Sequence, residues 1–269
     1  MSGPTNETTS SRNAALGATR AAEIVQKLRP IVALRMRCVI LSEHVATLTA
    51  TAAVDALAAL VSRATRRNDA DYLLALECLI AMLSDPALLP YQSRAALYAA
   101  AKERGHDAIR RLLFEISPDL SPGATLAGPA ETSTGERSVV PTGRPLTLGE
   151  RKSLARAHQR DLLSHLLRDP HPDVIRILLG NPHLTEADVL SLASRRPASG
   201  AALSEIAASQ RWIARYPVKR ALVKNPYTPL VLAIRLATTL RPGDLRDVAG
   251  DPRLNTLLRE HAAGLVASP

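Results

Sequence analysis

The sequence predicts an all-α protein whose C-terminal half is an α-solenoid of short stacked helices following a helical N-terminal segment. Three observations predict it. Apolar residues recur at spacings of three and four over most of the chain. Short apolar runs end again and again in Asp-Pro or Asn-Pro, and one such unit returns at an offset of 44 residues. With 46% hydrophobic but only 3% aromatic residues, the core has to be assembled from Leu, Ala, Val and Ile, which suits many small helix contacts.

Residues 1–18 are rich in Ser, Thr and Asn and are expected to be a disordered N-terminus without the apolar segment of a secretory signal. Residues 19–116 read as a helical domain. Segments 52–65, 72–83 and 93–103 carry apolar residues at helical spacing, with a shorter helix over 109–116, and Asn68, Asp85-Pro86 and Gly105 supply the breaks. Ile31, Val32, Val39, Ile40 and Val45 would also suit a strand, but the helical neighbours place 30–48 in a helix. Residues 117–146 hold five prolines and four glycines with almost no apolar period, the composition of a Pro/Gly/Ser/Thr-rich linker.

Residues 147–269 form the repeat region. Thr147 with Glu150, and Thr185 with Asp188, stand at capping-box spacing. The first predicts one helix over about 148–167. Asp169-Pro170, Asn181-Pro182, Asn225-Pro226 and Asp251-Pro252 each follow a short apolar run. Proline disfavours the α conformation of the residue before it, and an Asx there is expected to cap the next helix with proline in its first turn. The offset of 44 aligns Val174 with Val218, Arg176 with Arg220, Leu178 with Leu222, Asn181-Pro182 with Asn225-Pro226 and Leu192-Ala193 with Leu236-Ala237. Residues 206–210 look like a degenerate copy that has lost its proline, and Asp85-Pro86 is a further outlier. Helices this short cannot hide an apolar face alone, so neighbours must stack.

On these Asx-Pro units the chain, over about residues 148–265, resembles the bacterial HEAT-like and leucine-rich-repeat-variant α-solenoids. The resemblance implies a binding scaffold rather than an enzyme. The spacings of 12, 44 and 26 residues between Asn/Asp-Pro units depart from a strict repeat.

Net charge is +9, and it is local. Residues 144–226 carry 14 Lys and Arg against 7 Asp and Glu, whereas the segments on either side are nearly balanced. This is a candidate surface for an acidic partner or the imprint of an Arg-rich composition. Arg176, Arg220 and Arg246 each precede an aligned apolar residue by two positions and would form a column if the units stack. Such a column would hold phosphates or acidic groups, or reach carbonyls and Asx side chains of adjacent units. Arg211, Trp212, Arg215, Lys219, Arg220 and Lys224, with Arg195 and Arg196 upstream, complete the candidate macromolecule-binding set. Trp212 and Tyr216, four apart on one helical face, suit base stacking or core packing. His158, Asp161 and His165 would share a face of the predicted 148–167 helix, which reads as solvated, and no metal is assigned.

No P-loop, dinucleotide-binding glycine pattern, His-Glu-x-x-His or serine elbow is present. No catalytic residue or cofactor is assigned. No apolar run reaches the roughly 18 residues of a membrane span, and Cys38 and Cys78 lack metal or redox spacing and read as buried free thiols. The expectation is a cytoplasmic, non-catalytic scaffold or adaptor with a protein partner and no membrane partner. The alternative is nucleic-acid binding through 144–226, and less favoured is a repair-type hydrolase on the same scaffold.

Overall fold

A computed structural model describes residues 5–67, 69–114 and 146–267. Among the described residues there are sixteen α-helices and no strand, so the protein is all-α. The expected linker, 117–146, lies outside the described residues except for Leu146. The chain divides into two compact units, Met1–Glu115 and Ile116–Pro269.

The first unit contains α1 (Thr5–Leu28), α2 (Leu34–Thr47), α3 (Ala50–Arg67), α4 (Ala70–Ser84), α5 (Tyr91–Glu103) and α6 (Asp107–Phe114). The helix begins at Thr5, well inside the stretch expected to be disordered. Ala21, Ile24, Val25 and Leu28 form a buried stripe on a helix that packs against α3. Gly17 lets the backbones touch, since a Cβ there would lie 2.7 Å from the Asp55 carbonyl oxygen. The polar residues upstream extend a helix already anchored by that contact. Thr19 satisfies its hydroxyl on the carbonyl of Ala15. α3 is the central element, packed on α1, α4, α5 and α6, while α2 packs on α1 and α4. Segment 30–48 is helical from Leu34, burying Cys38, Leu41 and Val45. Cys38 and Cys78 are both buried and unpaired. Burial pushes both thiols up, that of Cys78 to about 12.

The second unit contains α7 (Leu148–Leu154), α8 (Arg160–Leu166), α9 (Pro172–Leu179), α10 (Glu186–Ser194), α11 (Gly200–Ala208), α12 (Gln210–Ile213), α13 (Tyr216–Val223), α14 (Leu230–Ala237), α15 (Pro242–Gly250) and α16 (Thr256–Ala267). Both capping boxes form, at Thr147 with Glu150 and at Thr185 with Asp188. The helix expected over 148–167 is two helices, broken at residues 155–159. The break frees the carbonyls of Ala155 and Ala157, and each accepts a 2.9 Å hydrogen bond from the side-chain amide of the buried Asn181. His158 falls in this break, so it does not share a helix with Asp161 and His165.

Contrary to the expectation from the sequence, the Asx-Pro pairs do not cap the next helix. They build a turn between helices. Because proline has no N–H, the first amide available to the Asx carboxyl or carboxamide oxygen is two residues on. Asp169 accepts from His171, Asn181 from His183, Asn225 from Tyr227 and Asp251 from Arg253, all at 2.9–3.0 Å. The outlier Asp85 does the same with Ala87. The N-cap positions of the following helices fall on other residues: His171 and Thr185 cap with their side chains, and Pro229 holds the position without a side-chain bond. Where the copy at 206–210 lacks proline, no such turn forms. Ser209 alone separates α11 from α12, ending one and preceding the other.

Asn and Asp then diverge. The carboxamide of Asn225 donates to the carbonyls of Ala193 (2.8 Å) and Arg195 (2.9 Å) at the end of α10, repeating what Asn181 does at the end of α7. Both asparagines are buried, at 3% and 1% exposure. A carboxylate has no N–H to offer a carbonyl. Asp169 instead takes the Arg151 guanidinium at 2.7–2.8 Å, and Asp251 takes that of Arg253. α9 packs on α7 and α13 on α10, so each clamp joins a contacting pair.

Candidate functional site

The ten candidate residues divide by what their side chains touch. Arg196 donates to the carbonyl of Lys224 and Arg211 to that of Asn181 at 3.2 Å. Arg176 pairs with Asp173 one turn earlier at 2.6 Å. Arg220 reaches Asp244 of α15 at 3.5 Å, and Lys224 reaches Asp247 at 2.7 Å. Arg215 stands 3.9 Å from Glu186. Arg195, Lys219 and Arg246 have no side-chain partner among the described residues, and Arg195 and Arg246 are exposed.

Most of the basic segment is therefore engaged in joining helices. Arg151 and Lys152 of α7 hold Asp169 and Asp173, and Arg160 holds Asp188 and the carbonyl of His183. The Lys152 ammonium is the main cause holding the Asp173 carboxyl below the usual range, and Lys224 does the same for Asp247. Burial works to raise the Asp188 carboxyl, but hydrogen bonds from Thr185 and then Arg160 outweigh it and leave it depressed.

Trp212 and Tyr216 do not share a helical face, because Ala214 and Arg215 separate α12 from α13. Trp212 is 3% exposed, its indole N–H donates to the carbonyl of Leu179 at 2.8 Å, and the Arg211 guanidinium lies 4.4 Å from its ring centre. Its ring is a packing element and offers no face to a base. Tyr216 donates its phenol to Asp244 at 2.5 Å and accepts from the Arg241 backbone at 3.0 Å. Asp244 is thus a hub for Tyr216, Arg220 and Lys224 that the sequence reading missed. Its signal was the pairing of Arg220 and Lys224, four apart, with Asp244 and Asp247, three apart, one helical hairpin later.

The N-terminal unit holds the second feature the sequence reading passed over. Gly105, at φ 70°, closes α5 with the paired bonds of a Schellman motif, His106 N–H to Ala101 and Gly105 N–H to Lys102. That turn sets Arg104 and His106 on the two sides of Asp55, a residue 9% exposed. Arg104 binds both carboxylate oxygens, and His106 Nε2 lies 2.9 Å from Oδ1. Burial tends to raise the Asp55 carboxyl. The bonds from Arg104 and His106 overcome it and leave the group below its ordinary value. The carboxylate is saturated by these partners, which makes it a tie between α3 and the α5–α6 turn.

Among the described residues no cluster of three or more His, Cys, Asp or Glu is close enough to hold a metal ion, and no helix is long and apolar enough to cross a membrane. His158 and His183 meet edge to face, 5.0 Å between ring centres. No protein-family model matches the chain, and no curated protein or solved structure matches it at a significant level.

Proposed function

We propose that residues 147–269 are an α-solenoid and that the protein is a non-catalytic cytoplasmic scaffold binding another protein through that surface. The observation that carries the reading is the clamp made twice, by Asn181 on the end of α7 and by Asn225 on the end of α10. Equivalent residues 44 apart doing equivalent work is the mark of a repeated unit, and stacked units present extended surfaces for partners. The clamps and ion pairs make those units rigid, which lowers the ordering cost of binding. Buried free thiols at Cys38 and Cys78 suit a reducing compartment.

Among the candidate residues, Arg195, Lys219 and Arg246 are the cations without a side-chain partner and are the ones proposed to meet a partner's acidic groups. The test is purification of the full chain from native lysate at modest salt, beside the variant Arg195→Glu/Lys219→Glu/Arg246→Glu. A stoichiometric protein held by the wild type and lost from the variant, with an unchanged melting temperature, is the expected outcome. Recovery of no stoichiometric protein overturns the reading.

Nucleic-acid binding through 144–226 is the second reading, favoured by the 14 basic against 7 acidic residues there. With most of those cations already paired, few remain to neutralise phosphates. Duplex and single-stranded DNA and RNA titrated across a salt series decide it: a slope of log affinity on log salt near −3 corresponds to roughly three phosphate contacts. The buried ring of Trp212 leaves the repair-type hydrolase without its stacking residue.

A further inference from the structure

Four of the five large apolar side chains standing exposed among the described residues fall in the first unit's α1 to α2 region, and three of them fall within five residues. Val32 is 90% exposed, Leu34 41% and Met36 54%. Val32 sits in the connection between α1 and α2, and Leu34 and Met36 open α2. Behind them the same helix turns Cys38, Leu41 and Val45 inward against its neighbours. The connection and the first turn of α2 therefore carry a small exposed apolar cluster, with Arg35 exposed inside it.

Cations flank that cluster along the chain. Residues 27–37 contain Lys27, Arg29, Arg35 and Arg37 and no acidic residue. Arg35, between Leu34 and Met36, has no partner among the described residues. Arg29 is 74% exposed, with Asp71 at 3.8 Å, and Arg37 uses its Nε on the carbonyl of Leu28. Lys27 lies against His44.

We propose that residues 31–37 dock on an anionic lipid surface, with Val32, Leu34 and Met36 entering the headgroup boundary and Arg29, Arg35 and Arg37 meeting lipid phosphates and carboxylates. The contact is peripheral and needs no spanning helix, and it departs from the expectation of no membrane partner, which was drawn from the lack of an apolar span alone. Charge complementarity selects an anionic occupant. Size selects lipid over protein: three exposed apolar side chains fall short of the roughly 800 Å² per partner that a stable protein interface buries, whereas a lipid boundary accepts a small apolar cluster flanked by cations. Apolar insertion and cationic attraction then add. This inference concerns the first unit and is independent of the scaffold reading.

The full chain is floated with vesicles of phosphatidylcholine alone and of phosphatidylcholine with phosphatidylserine, together with Val32→Asp/Met36→Asp and, separately, Arg35→Glu. The wild type floats with the anionic vesicles and not with the neutral ones, and loses binding as salt rises. Val32→Asp/Met36→Asp abolishes flotation. Arg35→Glu weakens it at least about fivefold, the worth of one cation at such a surface. All three positions are exposed, and circular dichroism checks that each variant melts as the wild type does. Failure of the wild type to float overturns the proposal, as does undiminished flotation of both variants. It is equally overturned if the wild type sediments as a dimer that Val32→Asp/Met36→Asp dissociates, because a second copy then covers these side chains.

Discussion

Asn181 and Asn225 differ from Asp169 and Asp251 by an amide in place of a carboxylate oxygen, and their partners differ accordingly. Each asparagine donates two hydrogen bonds to helix-end carbonyls, one of each pair, that of Ala155 or Ala193, in a buried setting. Asn225→Ala leaves those acceptors unmet and is expected to cost about 2 to 3 kcal/mol in denaturant unfolding. Asn225→Asp should cost more than Asn225→Ala, since it aims a charged acceptor at the carbonyls of Ala193 and Arg195. Equal costs would show that the amide is not what holds the helix end. Trp212→Phe removes the bond to the Leu179 carbonyl and is expected to lose about 1 to 2 kcal/mol by the same measurement. The Asx-Pro pairs were legible as breaks. The partner of each amide was not, because Ala155 and Ala193 lie 26 and 32 residues upstream and look like ordinary helix residues.

At the scale of elements, the local signals with a short reach were read correctly. The Thr147 and Thr185 capping boxes form as spaced, and Thr185→Ala is expected to lower stability by about 1 kcal/mol. Gly105 was read as a break, and its positive φ gives the reason: an L side chain there is strained. Gly105→Ala should cost about 1 to 2 kcal/mol, and by shifting the turn that carries Arg104 and His106 it should also loosen the tie to Asp55. A double-mutant cycle of Gly105→Ala with Asp55→Asn checks this, with strict additivity counting against it. Misread elements share a cause. The 148–167 helix was drawn through the break at residues 155–159 because nothing local forbids a helix there. The first turns of α1 were missed because Ser, Thr and Asn weigh against helix until packing at Gly17 outweighs them.

Across the whole molecule the electrostatics point in one direction. The carboxyls of Asp55, Asp173, Asp188, Asp247 and Asp251 are all depressed, that of Asp251 to about 2 by the Arg253 guanidinium. A carboxyl depressed in the folded state stabilises the fold above its unfolded pKa, near 4, and that stability is lost as pH falls through the folded value. Melting temperature is therefore expected to be flat above about pH 5 and to fall steeply below 4, with Asp55→Asn removing part of that acid dependence. A thermal-shift series in pH measures both. The sequence by itself determined the all-α class, the places where helices break and the local excess of positive charge, since helical period, proline and capping chemistry act within a turn or two of the chain. Only the tertiary structure decided which carbonyls the asparagines clamp, that Trp212 is packed away, and which cations stay free. Those outcomes depend on groups some 20 to 50 residues apart meeting across helices, and single-residue identity carries no record of that distance.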